Sequence, residues 1–370
     1  MQVIDTSTLG GAEKHTRLIT KQFKKLGYEV ILIFPPGPYA PEFHSLSQYG
    51  IQCIEFDFRK SFFALIRMIV IIRRLIRKHN VKYIHSHQHL ADLIATIAVF
   101  GYSEVIHFST IHLVLKDLKG SIFRKLKIFL FAFISLQRIN FVFTVSNDVK
   151  KTTERYFHLR RTKVHTILNS IDFDELITSK NEIDTLRKQI DPTAQKKLLL
   201  CASVLLRHKG QEYLIESLKC IYNHNILLIL LSDGCDKSYF CNLAEELGVS
   251  NKVLFAGYQK NVALWMSACD IYIHPSLFDP LPRSLLEAMF LGRPVIASNI
   301  NSISEVIKHN YSGLLVEPRS PQSIADAIIK LLNSNSFSEQ LSKNAQEFVK
   351  KNCSMESMAK KMISILSQGS

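Results

Sequence analysis

Short apolar runs alternate with longer segments of helical spacing along the whole chain. In the first half the runs fall near Val30–Phe34, Ile51–Phe56, Tyr83–His87, Val105–Ser109 and Phe141–Ser146, and Met1 to Asp5 reads as the end of another strand. In the second half they fall near Leu198–Ser203, Ile226–Ser232, Val253–Ala256, Ile271–His274 and Val295–Ser298. Strands that alternate with helices predict α/β layers around parallel sheets. The stretch from Phe173 to Lys197 is polar and acid-rich, with Glu175, Glu182 and Asp184, and reads as a linker. Two Rossmann-like halves facing across a cleft follow. Their expected extents are residues 1–175 and 176–351. The tail from Phe348 to Leu366 has helical spacing and is expected to cross back, so residues 352–370 are assigned to the first half.

Length and composition agree with two domains: 370 residues, 47% of them hydrophobic, leave each half enough to bury a core. The seven cysteines include no C-x-x-C pair and several lie in apolar runs, as expected of reduced thiols in a cytosolic protein. A strand at the N-terminus argues against a leader peptide. No uncharged apolar run approaches the roughly twenty residues of a membrane span.

Charge changes the picture more. Residues 1–170 hold 25 lysines and arginines against 11 acids, whereas residues 171–370 hold 21 of each. The whole net charge of +14 therefore belongs to the first half. Two segments concentrate it. Ser61 to His79 carries Arg67, Arg73, Arg74 and Arg77 among aliphatics; Leu113 to Arg138 carries Lys116, Lys119, Arg124, Lys125 and Lys127 among phenylalanines. Cations along apolar helical faces suit docking in the plane of an anionic membrane. Ordinary surface helices with snorkelling cations are the plainer alternative. Nucleic acid is disfavoured, because the bases are mixed with aliphatics and no nucleic-acid motif appears.

Candidate chemistry centres on Phe278 to Ser298, F-D-P-L-P-R-S-L-L-E-A-M-F-L-G-R-P-V-I-A-S. A Pro-rich loop runs into an apolar helix that Gly292 ends. Asp279 precedes the helix and Glu287 lies inside it, roughly 7 Å from its start, about the length of a diphosphate. Helix N-termini attract phosphate through free N–H groups and the dipole. Acids near a helix start are also ordinary caps. Glu287 sits among apolar neighbours, where a buried carboxylate needs a partner such as a ligand hydroxyl. His85, His87 and His89 alternate along a strand end, about 6.6 Å apart for successive side chains on one face, too far for shared ligation at ~2 Å each, so no metal is expected there.

Further motifs follow one another in order. They are D-T-S-T-L-G-G-A-E-K-H with Gly10 and Gly11, Y-I-H-S-H-Q-H-L-A-D, S-T-I-H ending at His112, F-T-V-S-N-D-V-K, I-L-N-S-I-D, R-H-K-G-Q-E-Y-L-I-E-S-L and L-S-D-G. With the Asp279–Glu287 segment, this run resembles the retaining glycosyltransferases of family 4 (group 1), which have the GT-B fold. The match runs nearly end to end. The chain departs from the pattern where the first acid is the shorter Asp279, the next glycine is Pro280, the "N-G-I-D" glycine is Ser170, the "G-D-G" opener is Ser232, and the arginine five residues before Lys209 is Val204.

The resemblance implies transfer of a sugar from a nucleotide-diphosphate-sugar to a lipid-linked or lipopolysaccharide-type envelope acceptor. Lys209 and Arg207 would contact the diphosphate, with Gly10, Gly11 and the backbone N–H groups from Leu281, Pro282, Arg283 and Ser284. Glu287 would accept both ribose hydroxyls, and Asp279 and His112 would hold the transferred sugar. Cations and helix N-termini can neutralise a leaving diphosphate, so no cofactor and no metal is expected. The enzyme would lie at the inner face of the cytoplasmic membrane. A non-catalytic glycosyltransferase-like binding protein is one alternative. A nicotinamide-dependent oxidoreductase is weaker, since G-G-A-E-K-H does not supply G-x-G-x-x-G.

Overall fold

The computed structural model describes residues 1–8, 10–112, 122–159, 163–222 and 224–368, with side chains from residue 128 onward in the helix that starts at Ile122. The chain divides into two compact units, Met1–Ser170 with Met355–Ser370, and Ile171–Ser354. The crossings thus fall at 170/171 and 354/355, a few residues from the expected 175 and 351. Ile171 belongs with the second unit because it pairs with Ser354 and donates its N–H to the Cys353 carbonyl at 3.0 Å.

The first unit holds strands β1 (Gln2–Ile4), β2 (Ile31–Phe34), β3 (Gln52–Glu55), β4 (Tyr83–His87), β5 (Ile106–Ile111), β6 (Phe141–Thr144) and β7 (Val164–Thr166). They form one parallel sheet in the order β3-β2-β1-β4-β5-β6-β7. Its helices are α1 (Gly11–Lys25), α2 (Ala40–His44), α3 (Phe62–His79), α4 (His89–Val99), α5 (Ile122–Arg138) and α6 (Asn147–Phe157). Local chemistry sets their ends. Ser61 and Ser146 accept N–H bonds from Ala64 and Val149 as N-caps of α3 and α6, and Asn80 and His158 take left-handed C-cap conformations. Strand parity puts Val3, Ile33 and Ile84 in one core layer and Ile4, Leu32 and Phe34 in the other.

The second unit holds β8 (Lys197–Ala202), β9 (Ile226–Leu231), β10 (Val253–Gly257), β11 (Ile271–His274), β12 (Val295–Ser298) and β13 (Leu314–Val316), parallel, in the order β10-β9-β8-β11-β12-β13. Its helices are α7 (Lys180–Ile190), α8 (Gln211–Ser217), α9 (Lys237–Glu246), α10 (Val262–Ala268), α11 (Arg283–Phe290), α12 (Asn301–Ser304), α13 (Pro321–Asn333) and α14 (Asn335–Asn352). The expected linker is therefore partly helix. Ser179 and Glu182 close a reciprocal capping box, Leu186 is buried, and Arg187 donates to the Ala268 carbonyl at 2.6 Å. The tail is two helices rather than one. Cys353 and Ser354 separate α14 from α15 (Met355–Ser367), and α15 packs Met358, Met362 and Leu366 into the first unit's core beside Ile4, Phe34 and Phe43. All seven cysteines are free thiols. Among the described residues no helix is long and apolar enough to cross a membrane.

Candidate active site

Each sheet reverses its strand order once, between β1 and β4 in the first unit and between β8 and β11 in the second. Ligands of open parallel sheets bind beyond the strand ends at such points. The predicted residues collect there.

In the second unit β8 leads into a short 3₁₀ turn, Arg207–Lys209, and then to Gly210. Gly210 has φ +73°, and a Cβ there would stand 2.0 Å from the Pro275 carbonyl oxygen. Only glycine lets the β8 and β11 loops close on each other in this way. The Leu277 N–H donates to the His208 carbonyl at 3.0 Å and holds the two loops together. The result brings Lys209 Nζ to 2.6 Å from Asp279 Oδ2, with His274 Nε2 3.3 Å from the same oxygen. Asp279 and His274 are buried and Lys209 nearly so. Burial works against the Asp279 charge, but Lys209 and His274 outweigh it and hold the carboxyl at about 2. Asp279 is therefore favoured as the anion and ion-paired with Lys209. The Ser302 hydroxyl donates to the Asp279 carbonyl and fixes its backbone.

Helix α11 starts four residues after Asp279, with Leu281 buried and Pro282 at the N-cap. Pro282 has no amide hydrogen. The expected phosphate-facing N–H groups therefore reduce to those of Leu281, Arg283 and Ser284. Glu287 is the fifth residue of α11 and is buried; Arg283, one turn earlier and equally buried, brings Nη2 to 3.8 Å from it. The carboxylate expected to need a partner already has a cation at one oxygen. Arg207 is not part of this cluster. It donates to Glu212 at 3.0 Å and lies over the Tyr239 ring at 4.3 Å.

In the first unit Gly10 caps α1 and Gly11 opens it. A Cβ at Gly11 would meet nothing within 4 Å, so the backbone there is open to a ligand, whereas at Gly10 it would meet Glu13 Oε2 at 2.6 Å. Glu13 is engaged with the Thr8 N–H at 3.0 Å and its hydroxyl at 2.7 Å. At the β4 end, the Asp5 carboxylate accepts the N–H groups of Leu90 and Ala91 at the α4 start. Burial pushes Asp5 up to about 7 against those bonds, and burial pushes Asp92 up to about 6 although the Ser86 hydroxyl donates to it.

His112 stands in histidine company. Its ring lies 4.7 Å from that of His15 and 5.7 Å from that of His87, which it stacks. Burial, and then neighbouring imidazoles, push His85 and His87 well below the ordinary value; burial alone takes His89 to about 4. The ring centroids of His85 and His87 are 4.0 Å apart, closer than the strand spacing suggests, but their Nε2 atoms turn to different partners. His85 Nε2 is 2.7 Å from the Thr110 hydroxyl, and His87 turns to His112 and Gln2. His15 was not anticipated. It lies one helical turn into α1, and its only sequence signal is the G-G-A-E-K-H run itself. A cavity of about 520 Å³ lies at the opposite, amino-terminal ends of β1, β2 and β4, lined by Met1, Phe23, Val30, Tyr83 and Leu366. Its lining reaches His85 and Phe108 but none of Gly10, Gly11 and His112.

Of the expected membrane-facing cations, Arg67 lies over Phe56, Arg73 donates to the Ala98 and Phe100 carbonyls, Arg77 donates to the Tyr102 hydroxyl, and Arg74 is exposed. Lys116, Lys119 and the side chains of Arg124, Lys125 and Lys127 lie outside the described residues.

Two parallel α/β units, each with one reversal of strand order, define the GT-B class of fold. Two family models match the chain, Glycosyltransferase Family 4 over residues 9–175 and Glycosyl transferases group 1 over residues 182–348. The chain belongs to the group 1, family 4 glycosyltransferases. An uncharacterized glycosyltransferase of Methanocaldococcus jannaschii is 31% identical over 60% of this chain; the chain spans 59% of that protein. The N,N'-diacetylbacillosaminyl-diphospho-undecaprenol alpha-1,3-N-acetylgalactosaminyltransferase of Campylobacter jejuni is 22% identical over 94% of this chain and 93% of its own. The crystal structure of Anabaena HepE in complex with UDP-glucose superposes with a TM-score of 0.84 at 21% identity, covering both chains fully.

Proposed function

We propose that the chain is a retaining, metal-independent transferase that moves a sugar from a nucleotide-diphosphate-sugar to a lipid-linked or envelope-glycan acceptor. The observation that carries this is the Lys209–Asp279–His274 cluster at the second unit's switch point, one loop before α11. Lys209, paired with Asp279, stands in the loop that precedes the α11 N-terminus, where a diphosphate would gain from both. In this reading Glu287 binds the ribose hydroxyls, Asp279 binds a hydroxyl of the transferred sugar, and Arg207 acts at the rim. The leaving diphosphate assists the acceptor's proton loss, so no separate base is required. In the first unit His112 keeps the sugar contact that the family pattern implies. The UDP-glucose held by HepE and the undecaprenol-linked substrate named for the Campylobacter relative support the donor and acceptor classes.

A peripheral position at the inner face of an anionic membrane is part of the proposal. Phe62 and Phe63 on α3, the helix that also carries exposed Arg67 and Arg74, are 72% and 81% exposed, and Phe100 at the end of α4 is 69% exposed with Arg138 over its ring. Exposed aromatic side chains with cations on the same helices suit interfacial binding. The test is a panel of nucleotide-sugars in thermal shift, followed by release of the nucleoside diphosphate in the presence of polyprenyl-diphosphate-linked sugars. A donor that stabilises the protein and is turned over only with such an acceptor is expected. Stabilisation by NAD and by no nucleotide-sugar overturns the reading.

A further inference from the structure

The three nitrogens of His15, His87 and His112 come from α1, the end of β4 and the residue after β5, elements that converge at the first unit's switch point. One ring nitrogen of each lies within 4.8 Å of the others. His87 Nδ1 and His112 Nε2 are 3.5 Å apart. That is long for a hydrogen bond between two nitrogens. It is close to the ~3.4 Å that separates two imidazole nitrogens bound at ~2.0–2.1 Å to one tetrahedral ion. Bringing the third nitrogen in closes at most about 1.4 Å on the same geometry.

A second observation points the same way. His87 Nε2 stands 3.0 Å from Gln2 Oε1, deep in the sheet. A carbonyl oxygen only accepts, so Nε2 carries the proton and Nδ1 presents its lone pair toward His112. Metal-ligating histidines are held in this way, with the far N–H donated to a carbonyl or carboxylate. His15 and His87 are buried and His112 is half-buried, so the third imidazole is the side open to an arriving ion and to a water as fourth ligand.

We propose that His15, His87 and His112 form a binding site for one borderline divalent metal ion of the zinc, cobalt or nickel kind. An all-imidazole donor set suits these ions and not magnesium or calcium. The ion is not a participant in transfer. It competes for His112 Nε2, so a loaded chain has that nitrogen committed. This consequence for activity rests on the role proposed above for His112; the site itself does not.

The test uses the full chain. Co²⁺ added to the metal-stripped protein should give the visible bands of tetrahedral nitrogen ligation, saturating at one equivalent, and one Zn²⁺ per chain should survive dialysis and displace the cobalt. His15→Gln, His87→Gln and His112→Gln should each weaken binding about 100-fold, and Gln2→Met should weaken it about 10–100-fold through loss of the orienting bond. Absence of the bands in the unsubstituted chain overturns the proposal, whichever variants fold. So does zinc retention unchanged in His15→Gln and Gln2→Met, which would place the ion on surface histidines. One equivalent of Zn²⁺ should slow transfer, and chelation should restore it. Binding without slowing leaves the site standing and removes His112 from sugar contact.

Discussion

The two switch points share a topology and differ in their chemistry. In the second unit, opposite charges are buried together: Lys209 against Asp279, Arg283 against Glu287. In the first unit, burial works against charge. Burial lowers His85 and His87 and pushes the carboxyls of Asp5 and Asp92 toward the neutral form. The first unit nonetheless carries the molecule's entire net positive charge. Among the described residues, Arg67, Arg74 and Arg77 of that excess are exposed on α3, while burial shifts Asp5, Asp92, His85 and His87 toward their neutral forms. A parallel sheet thus supplies a location for a site, while the side chains at the strand ends decide whether it faces a polyanion or a neutral, hydroxyl-rich partner.

The sharpest way to break this contrast is to remove one member of a buried pair. Lys209→Met and Glu287→Gln are each expected to lower transfer by about 100-fold or more with the fold retained by circular dichroism, the scale of deleting one preorganised electrostatic contact. Full turnover in both would dismantle the site assignment. The next largest effect is acid sensitivity. His85, His87, His89 and His107 have depressed folded values, so they bind protons on unfolding and the first unit loses stability as pH falls below about 6.5. Asp5 and Asp92 act in the opposite direction between about pH 4 and 7 and offset only part of this. The second unit has Asp279 depressed to about 2, and loses its contribution only as pH falls through about 4 toward 2. The single tryptophan, Trp265, lies in α10 and reports on the second unit alone. On acidification toward pH 5, helical signal should fall before Trp265 fluorescence changes; simultaneous loss would contradict the contrast.

A smaller effect is expected of Asp279→Asn. It should remove about 2 kcal/mol of stability at neutral pH and flatten the profile between pH 4 and 2. Smallest is the membrane term. Sedimentation with anionic vesicles should weaken with salt, and Phe62→Ser with Phe63→Ser should reduce it several-fold without changing transfer to a short soluble acceptor. Equal binding to neutral vesicles would remove electrostatics from the account.

Most of the sheet was legible because its strands are apolar runs between helical segments. The exceptions were β7 and β13, each three residues long and too brief for any pattern. Acid-rich composition concealed α7, although the capping pair Ser179 and Glu182 was present to be read. The charged site was legible through Asp279, Glu287 and Lys209, which lie in recognisable local contexts. What spacing could not convey was pairing. Lys209 and Asp279 meet across 70 residues of sequence, and His15, His87 and His112 meet only because β1, β4 and β5 end side by side at the carboxyl end of one sheet. The proline at position 282 was legible too, and its missing N–H follows from covalent structure alone.

The position of α15 has a consequence for how the protein is made. Residues 171–354 leave the ribosome as a complete unit, with both ends joined by the Ile171–Ser354 pairing. The first unit, although begun earlier, waits for Met358, Met362 and Leu366 to fill its core. At about 5–20 residues per second the interval between its seventh strand and that helix is on the order of ten seconds or more. During it, Ile4, Phe34 and Phe43 lack their cover, so the nascent first unit is the part most in need of a chaperone.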